Sequence, residues 1–330
     1  MTTKQSRQIT AGGSNGLQRF RHFASNNGVL IAFIVLVIGL SLATPYFLTT
    51  ANLLSILVQS APFVIMAIGE LVVVLVAGID LSVGAMAGLS GAVAAALMAS
   101  LGLPWLLALL CALLASCCVG ALQGVIINYL RVTDFIATLA GLSIVSSLTL
   151  IITQGNPISI TADWFNAIGQ ARWLNVPVQV WIALGVVCGA WIWLAKTASG
   201  QHIYAVGGNR VAAYRSGIAV RRLRTTAYAI SGLCSGVAGI IFAAQLSSAD
   251  PNAGRGDELT AIAAVVIGGV SLFGGRGKVS SAVIGALLIA TILDALVLLN
   301  VPPYYTQLVQ GFVILLAVML DYLKRRDHSV

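Results

Sequence analysis

Charge is scarce in this sequence. Only 8% of its 330 residues are Asp, Glu, Lys or Arg, against roughly 25% in a typical soluble domain. Hydrophobic residues supply 58%, and mean hydropathy is +0.96. Too little polar surface exists to cover such a chain in water, so a soluble globular protein is excluded. Strictly alternating apolar and polar stretches are also lacking, which argues against a β-barrel. The five cysteines, Cys111, Cys117, Cys118, Cys188 and Cys234, form no CxxC and no Cys/His metal spacing, and read as small packing residues. His22, His202 and His328 fall outside the apolar runs. No Ser/His/Asp or other nucleophile–base set is present, so the chain reads as non-catalytic, with no cofactor of its own and no metal.

Long apolar runs are what the sequence has instead. About 20 apolar residues cross a hydrocarbon core as a helix. Such runs occur at 28–44, 57–77, 82–100, 104–128, 135–153, 178–195, 226–246, 259–273, 279–299 and 304–322. The sequence therefore predicts an all-α, polytopic integral membrane bundle of about ten spans. The eighth is short and Gly-rich, which fits a half-helix or a re-entrant element. Residues 1–27 and 324–330 are expected as tails flanking a single membrane domain at 28–323. The polar N-terminus delays the first apolar run, unlike a cleavable leader, so that run is expected to stay as an anchor.

The basic residues give this topology a direction. With both termini cytoplasmic, only Arg172 and Arg255 of the 18 Lys and Arg lie outside, as the positive-inside rule requires. The net charge of +8 then reports topology and contact with anionic lipid, and needs no nucleic acid. Residues 196–225 form the one long basic loop between spans. The segments 154–177 and 247–258 are the polar external stretches, with Trp164 and Trp173 as interfacial anchors. Small-xxx-small pairs (Gly84/Gly88, Gly120/Gly124, Gly185/Gly189 and Gly232/Gly236) predict close helix contacts.

Acids inside the apolar runs are candidate functional residues by default. In "AGIDLSVGA" Gly78 permits a turn at the end of the second span, and Asp80 or Ser82 can cap the next helix. Glu70 and Asp294 lie deeper within spans, each open to a paired structural role or a functional one. Gln59, Gln123, Asn128 and Gln245 can bond either a polar solute or a neighbouring helix. "GGRGKVSS" at 274–281 is not a phosphate loop, because Val279 follows Lys278 where Ser or Thr is required. An ion-coupled carrier using Glu70, Asp80 and Asp294 as a relay stays open on these residues alone.

Five segments in order resemble the membrane permeases of bacterial ATP-binding-cassette (ABC) importers for monosaccharides, the ribose/xylose/arabinose group. They are "GIDLSVGA", "GVIINYLRVTDFIATLAGLSIV", "YAVGGNRVAAYRSGI", "SGLCSGVAGIIFAAQLSSADPNAG" and "ELTAIAAVVIGGVSLFGGRGKV". The resemblance spans nearly the whole chain. It implies a permease in the bacterial inner membrane that moves a ribose-like sugar, powered by ATP and Mg on partner ATPase subunits. A periplasmic sugar-binding protein would deliver the cargo, and a second permease, identical or related, would complete the pathway. Gly207, Gly208, Asn209, Arg210, Ala212, Ala213, Arg215, Ser216 and Gly217 match the family's coupling segment, with Arg210 and Arg215 suited to an acidic groove. Gly78, Asp80, Ser82 and Gly84 carry the first family motif. Glu70, Gln59, Asn252, Glu258 and Asp294 are the expected solute-path residues. Two positions depart from the pattern: Thr260, where the family commonly has an acid, and Glu70, where it has an uncharged residue. A polyol or a furanose-type signalling molecule is the alternative cargo.

Overall fold

A computed structural model describes residues 28–306, 308–312, 315 and 319. In chain order its helices are α1 (Gly28–Ala43), α2 (Thr50–Leu75), α3 (Val83–Leu101), α4 (Trp105–Tyr129), α5 (Asp134–Thr153) and α6 (Asp163–Gln170). They continue with α7 (Val178–Lys196), α8 (Ala198–Gly208), α9 (Arg210–Arg215), α10 (Val220–Leu246), α11 (Asp257–Ile267) and α12 (Val279–Leu298). Four two-residue strands interrupt them: β1 (Ile158–Ser159), β2 (Arg172–Trp173), β3 (Val176–Pro177) and β4 (Ser248–Ala249).

Seven helices, α2, α3, α4, α5, α7, α10 and α12, are long and apolar enough to cross a membrane. The first expected span emerges as the 16-residue α1. The eighth becomes the 11-residue α11; at 1.5 Å per residue it reaches only about 16 Å, half a bilayer core. The tenth, 304–322, is described only in part, and both tails lie outside the described residues. The chain is a multi-pass helical membrane protein.

Helices α2, α3 and α10 form the interior, while α4, α5 and α7 turn apolar faces such as Leu110, Leu114, Ile136, Ile144, Leu184 and Ile192 outward. Lipid is as apolar as these side chains, so the interior helices must gain by close packing. The α4–α10 contact does so through glycine. A Cβ on Gly120 would lie 2.2 Å from Tyr228 O, and one on Gly232 2.3 Å from Ser116 O. The other two small-residue pairs act differently from the expectation. Gly185 and Gly189 have nothing within 4 Å of a would-be Cβ, and Gly84 and Gly88 receive a loop, not a helix.

Pro62 sits inside α2, and its missing N–H frees the carbonyl of Val58. Gln245 at the end of α10 supplies a replacement donor, Nε2 to Val58 O at 3.5 Å. The kink-prone point of α2 is thereby tied to its neighbour.

The bundle has a basic end, where α2, α4 and α10 meet the loop carrying Arg210 to Arg224, and a far end. At the far end β1 pairs with β4, Ile158 opposite Ala249 and Ser159 opposite Ser248. This joins the two polar stretches 154–177 and 247–258. From β4 the chain descends beside α3: Ala249 lies by Gly91, Ala253 O by Gly88, and Gly254 O by Gly84. Helix α11 then completes the passage toward the basic end. Residues 250–267 thus cross in two parts, an irregular loop from the far end and a half-length helix that continues to the basic end.

Candidate functional site

The basic loop is helical rather than merely solvated. Thr197 caps α8 by accepting the Gly200 N–H at 3.1 Å, and Asn209 caps α9 by accepting that of Ala212 at 3.0 Å, both ordinary N-cap bonds. In α9 only Ala213 is buried; Val211, Ala212, Tyr214 and Arg215 face outward, as do Ser216, Gly208 and Asn209. Gly217 closes the segment with φ +83°, a conformation that disfavours side chains.

This segment grips the end of α2. Gly207 makes the contact: a Cβ there would lie 1.8 Å from Leu75 O. Gly275 donates its N–H to the same carbonyl at 3.0 Å. Arg210 does not project into an open groove, as its sequence position suggested. Its guanidinium donates to Val76 O at 3.3 Å and Ala77 O at 2.7 Å. Burial first, and the Arg224 guanidinium second, draw its pKa below the ordinary arginine value. The "GGRGKVSS" turn, which sequence excluded as a phosphate loop, is part of this grip. Gly274 packs against Ala77, and Tyr204 donates to Gly277 O at 3.2 Å.

Beyond Ala77 the chain folds back along α2 instead of remaining at the bundle end. The Asp80 N–H reaches Glu70 Oε1 at 3.3 Å, two turns back in the helix. Asp80 is fully buried and serves as a hub. Its Oδ1 accepts the Ser82 N–H at 3.0 Å and the Ser82 hydroxyl at 2.6 Å; its Oδ2 accepts the Ser231 hydroxyl at 2.8 Å. Asp80 therefore satisfies an orphan N–H beside the start of α3, whereas Ser82 itself makes no side-chain cap bond. Ser82 Oγ also lies 2.9 Å from the Gln123 amide of α4. A hydroxyl has one proton, and the carboxylate takes it. Turning the amide so that Nε2 faces Ser82 gives that buried nitrogen, otherwise unpartnered, an acceptor. Glu70 Oε2 has no hydrogen-bond partner. Asp80, through its carboxylate, its own N–H and its partner Ser82, thus links α2, α3, α4 and α10.

A second layer lies between hub and basic loop. Arg224 pairs with Asp134 at 2.7 Å and donates to Asn128 Oδ1 at 2.7 Å. Tyr228 donates to Ile79 O at 3.4 Å, and its hydroxyl would lie 2.6 Å from a Cβ on Gly78. Gly78 is thus fixed by crowding from α10. Asp134, Ser231 and Gly274–Gly275 were not singled out from sequence. Their partners lie far along the chain, so no local spacing marks them.

The remaining expected residues do not join the hub. Asp294 accepts from Asn52 Nδ2 at 3.0 Å, beside the start of α2. Asn52 and Glu70 are 18 positions apart on that helix, about 27 Å along its axis. The three-acid relay is therefore overturned: Glu70 and Asp80 meet, but Asp294 is a full span away. Gln59 is exposed on the outer half of α2 and bonds Ser55 Oγ at 3.0 Å. Asn252 is exposed on the loop before α11. Glu258 stands in the first turn of α11, where its carboxylate accepts the Gly256 N–H at 3.1 Å and complements the helix dipole.

A multi-pass bundle with a polar hub inside and a capped docking-type segment at one end has the architecture of a membrane transport permease. The family described as branched-chain amino acid transport system / permease component matches residues 52–318, and the chain belongs to it. It is 44% identical over 300 residues to the ribose import permease protein of Escherichia coli K12, covering 90% of this chain and 93% of that one. It is 43% identical to the ribose import permease protein of Haemophilus influenzae, covering 88% and 91%. The D-allose transport system permease protein of Escherichia coli is 41% identical, with 89% and 90% covered. The resemblance to sugar-importer permeases stands on these relatives. No solved structure matches.

Proposed function

We propose that this chain is the translocation subunit of a binding-protein-dependent, ATP-driven importer of a ribose-like monosaccharide in the bacterial inner membrane. The observation that carries the reading is the 44% identity, over 90% of the chain, to a ribose import permease protein. The positive-inside bias supports a cytoplasmic basic end and cytoplasmic termini. The outward residues of α8 and α9 are then the docking surface for ATPase subunits, which hold the ATP and Mg. The paired strands at the far end offer the periplasmic sugar-binding protein one joined surface. A second permease subunit completes the pathway.

The chain itself breaks no covalent bond in this scheme. Its task is to exist in outward-open and inward-open states that ATP and loaded binding protein stabilise unequally, since only differential affinity shifts a population. Reconstitution into vesicles tests the proposal. With ATPase subunits, ATP and sugar-loaded binding protein, radiolabelled ribose accumulates. A proton gradient alone drives nothing. Accumulation on the gradient without ATPase subunits overturns the reading, and a panel of aldoses and polyols in the same assay identifies the cargo.

A further inference from the structure

We infer that Arg210 is a positioning residue for energy coupling: it fastens the docking segment to a left-handed turn at Ala77, and so to the Asp80 hub. The inference rests on the importer reading above and names a residue through which that reading operates.

The end of α2 explains why a fastening is needed there. Its carbonyls at Val73 and Val74 are satisfied locally: Gly78 donates to Val73 O at 3.0 Å and Ala77 to Val74 O at 2.9 Å. This is a Schellman closure, with Ala77 in the left-handed position at φ +56°. Glycine is usual there, and alanine pays a steric penalty. The next three carbonyls, of Leu75, Val76 and Ala77, find their donors elsewhere in the chain. Gly275 serves the first; Arg210 serves the other two. A strained, unusually terminated turn is therefore held in place by the segment that faces outward at the basic end.

What lies beyond the turn gives the fastening its consequence. Only Gly78 and Ile79 separate Ala77 from Asp80, whose carboxylate binds Ser231 of α10 and whose partner Ser82 contacts Gln123 of α4. Arg210 opens α9, and Asn209 locks that opening turn. A displacement of α9 is thus delivered through one guanidinium nitrogen, Nη2, which bonds both carbonyls, to backbone that continues directly into the hub. A lysine nitrogen also carries donors enough for two carbonyls, on a flexible stem. Both Arg210 and Arg215 are exposed and neither makes an ion pair among the described residues, but Arg210 is engaged by the end of α2, so Arg215 is the arginine left for a partner's acidic surface.

The test uses the complete transporter in vesicles, with ATPase subunits and sugar-loaded binding protein, and reads ATPase-subunit affinity, ATP hydrolysis and sugar moved per ATP. Arg210→Ala is expected to keep ATPase binding and hydrolysis while sugar per ATP falls by about tenfold or more, the scale of losing charge-assisted bonds. Arg210→Lys, which keeps donors for both carbonyls, restores most of the ratio. Arg215→Ala weakens ATPase binding but moves the normal amount of sugar per ATP at saturation. If Arg210→Ala fails to assemble, Arg210→Met, which has an apolar stem and no donor, takes its place with the same expected fall in ratio. A normal ratio in Arg210→Ala or its substitute, or a defect confined to ATPase affinity, overturns the inference. Absence of ATP-driven uptake in the wild-type complex instead removes the importer reading, and the inference with it.

Discussion

Asp80→Ala separates an architectural role for the hub from a direct role in solute movement. The substitution removes the acceptor for three donors: the Ser82 N–H, the Ser82 hydroxyl and the Ser231 hydroxyl. Each buried donor left without an acceptor costs about 1–3 kcal/mol. Because the donors share one carboxylate the losses do not add, and about 3–5 kcal/mol is the expected total for a broken buried network. Asp80→Asn keeps one oxygen for Ser82, and Ser231 can reverse its hydroxyl to accept from the new amide, so about 1–2 kcal/mol is expected. Ser231→Ala should cost about 1 kcal/mol, and its combination with Asp80→Ala less than the sum, because the shared bond is already gone. Unfolding of such a protein in detergent is governed by a rate, so the assay is the half-life of the folded chain at fixed temperature. The expected order is wild type, Ser231→Ala, Asp80→Asn, Asp80→Ala, from longest to shortest. An Asp80→Ala protein as long-lived as wild type, yet inactive in uptake, would refute the argument and move Asp80 to the solute path.

Three further outcomes follow from the geometry. Glu70→Gln retains an oxygen for the Asp80 N–H and should leave ATP-driven uptake largely intact; loss of uptake with normal assembly would place Glu70 in transport. Gly217→Trp forces a bulky residue to φ +83° in open space, so stimulated ATP hydrolysis should vanish while membrane assembly persists, and normal stimulation would count against the docking assignment. Gly84→Val would set a Cβ 2.1 Å from Gly254 O; the loop between β4 and α11 should be displaced, with faster protease cleavage between Ala249 and Glu258 and reduced uptake.

Hydropathy made the long crossings legible, because a 20-residue apolar run in a charge-poor chain has few alternatives to a membrane helix. The boundaries of α4, α5, α7 and α12 lie close to the apolar runs for that reason. Helix α11 was harder to read: Gly256, Gly268 and Gly269 delimit it, but hydropathy continues past its end to Phe273. The segment 207–217 was legible as a motif, yet the bonds of Arg210 to the end of α2 were not. Sequence shows a basic residue in a basic loop, and only the fold reveals two free carbonyls within its reach. The partner of Asp294 was hidden for a related reason. That partner, Asn52, is 242 positions away, and no spacing rule connects them. The role of Gly207 and Gly275 is likewise invisible without the end of α2 between them.

The closure of α2 also bears on how the chain is made. Ala77 leaves the ribosome 133 positions ahead of Arg210. At roughly 5–20 residues per second, its carbonyl waits on the order of ten seconds for its donor, and that of Leu75 waits longer for Gly275. During that interval the central helix is threaded into the bilayer with its last turn unfinished. Chains truncated before Arg210 should therefore insert but stay open to proteases at residues 75–80, and an insertase that shelters this stretch would shorten the exposure.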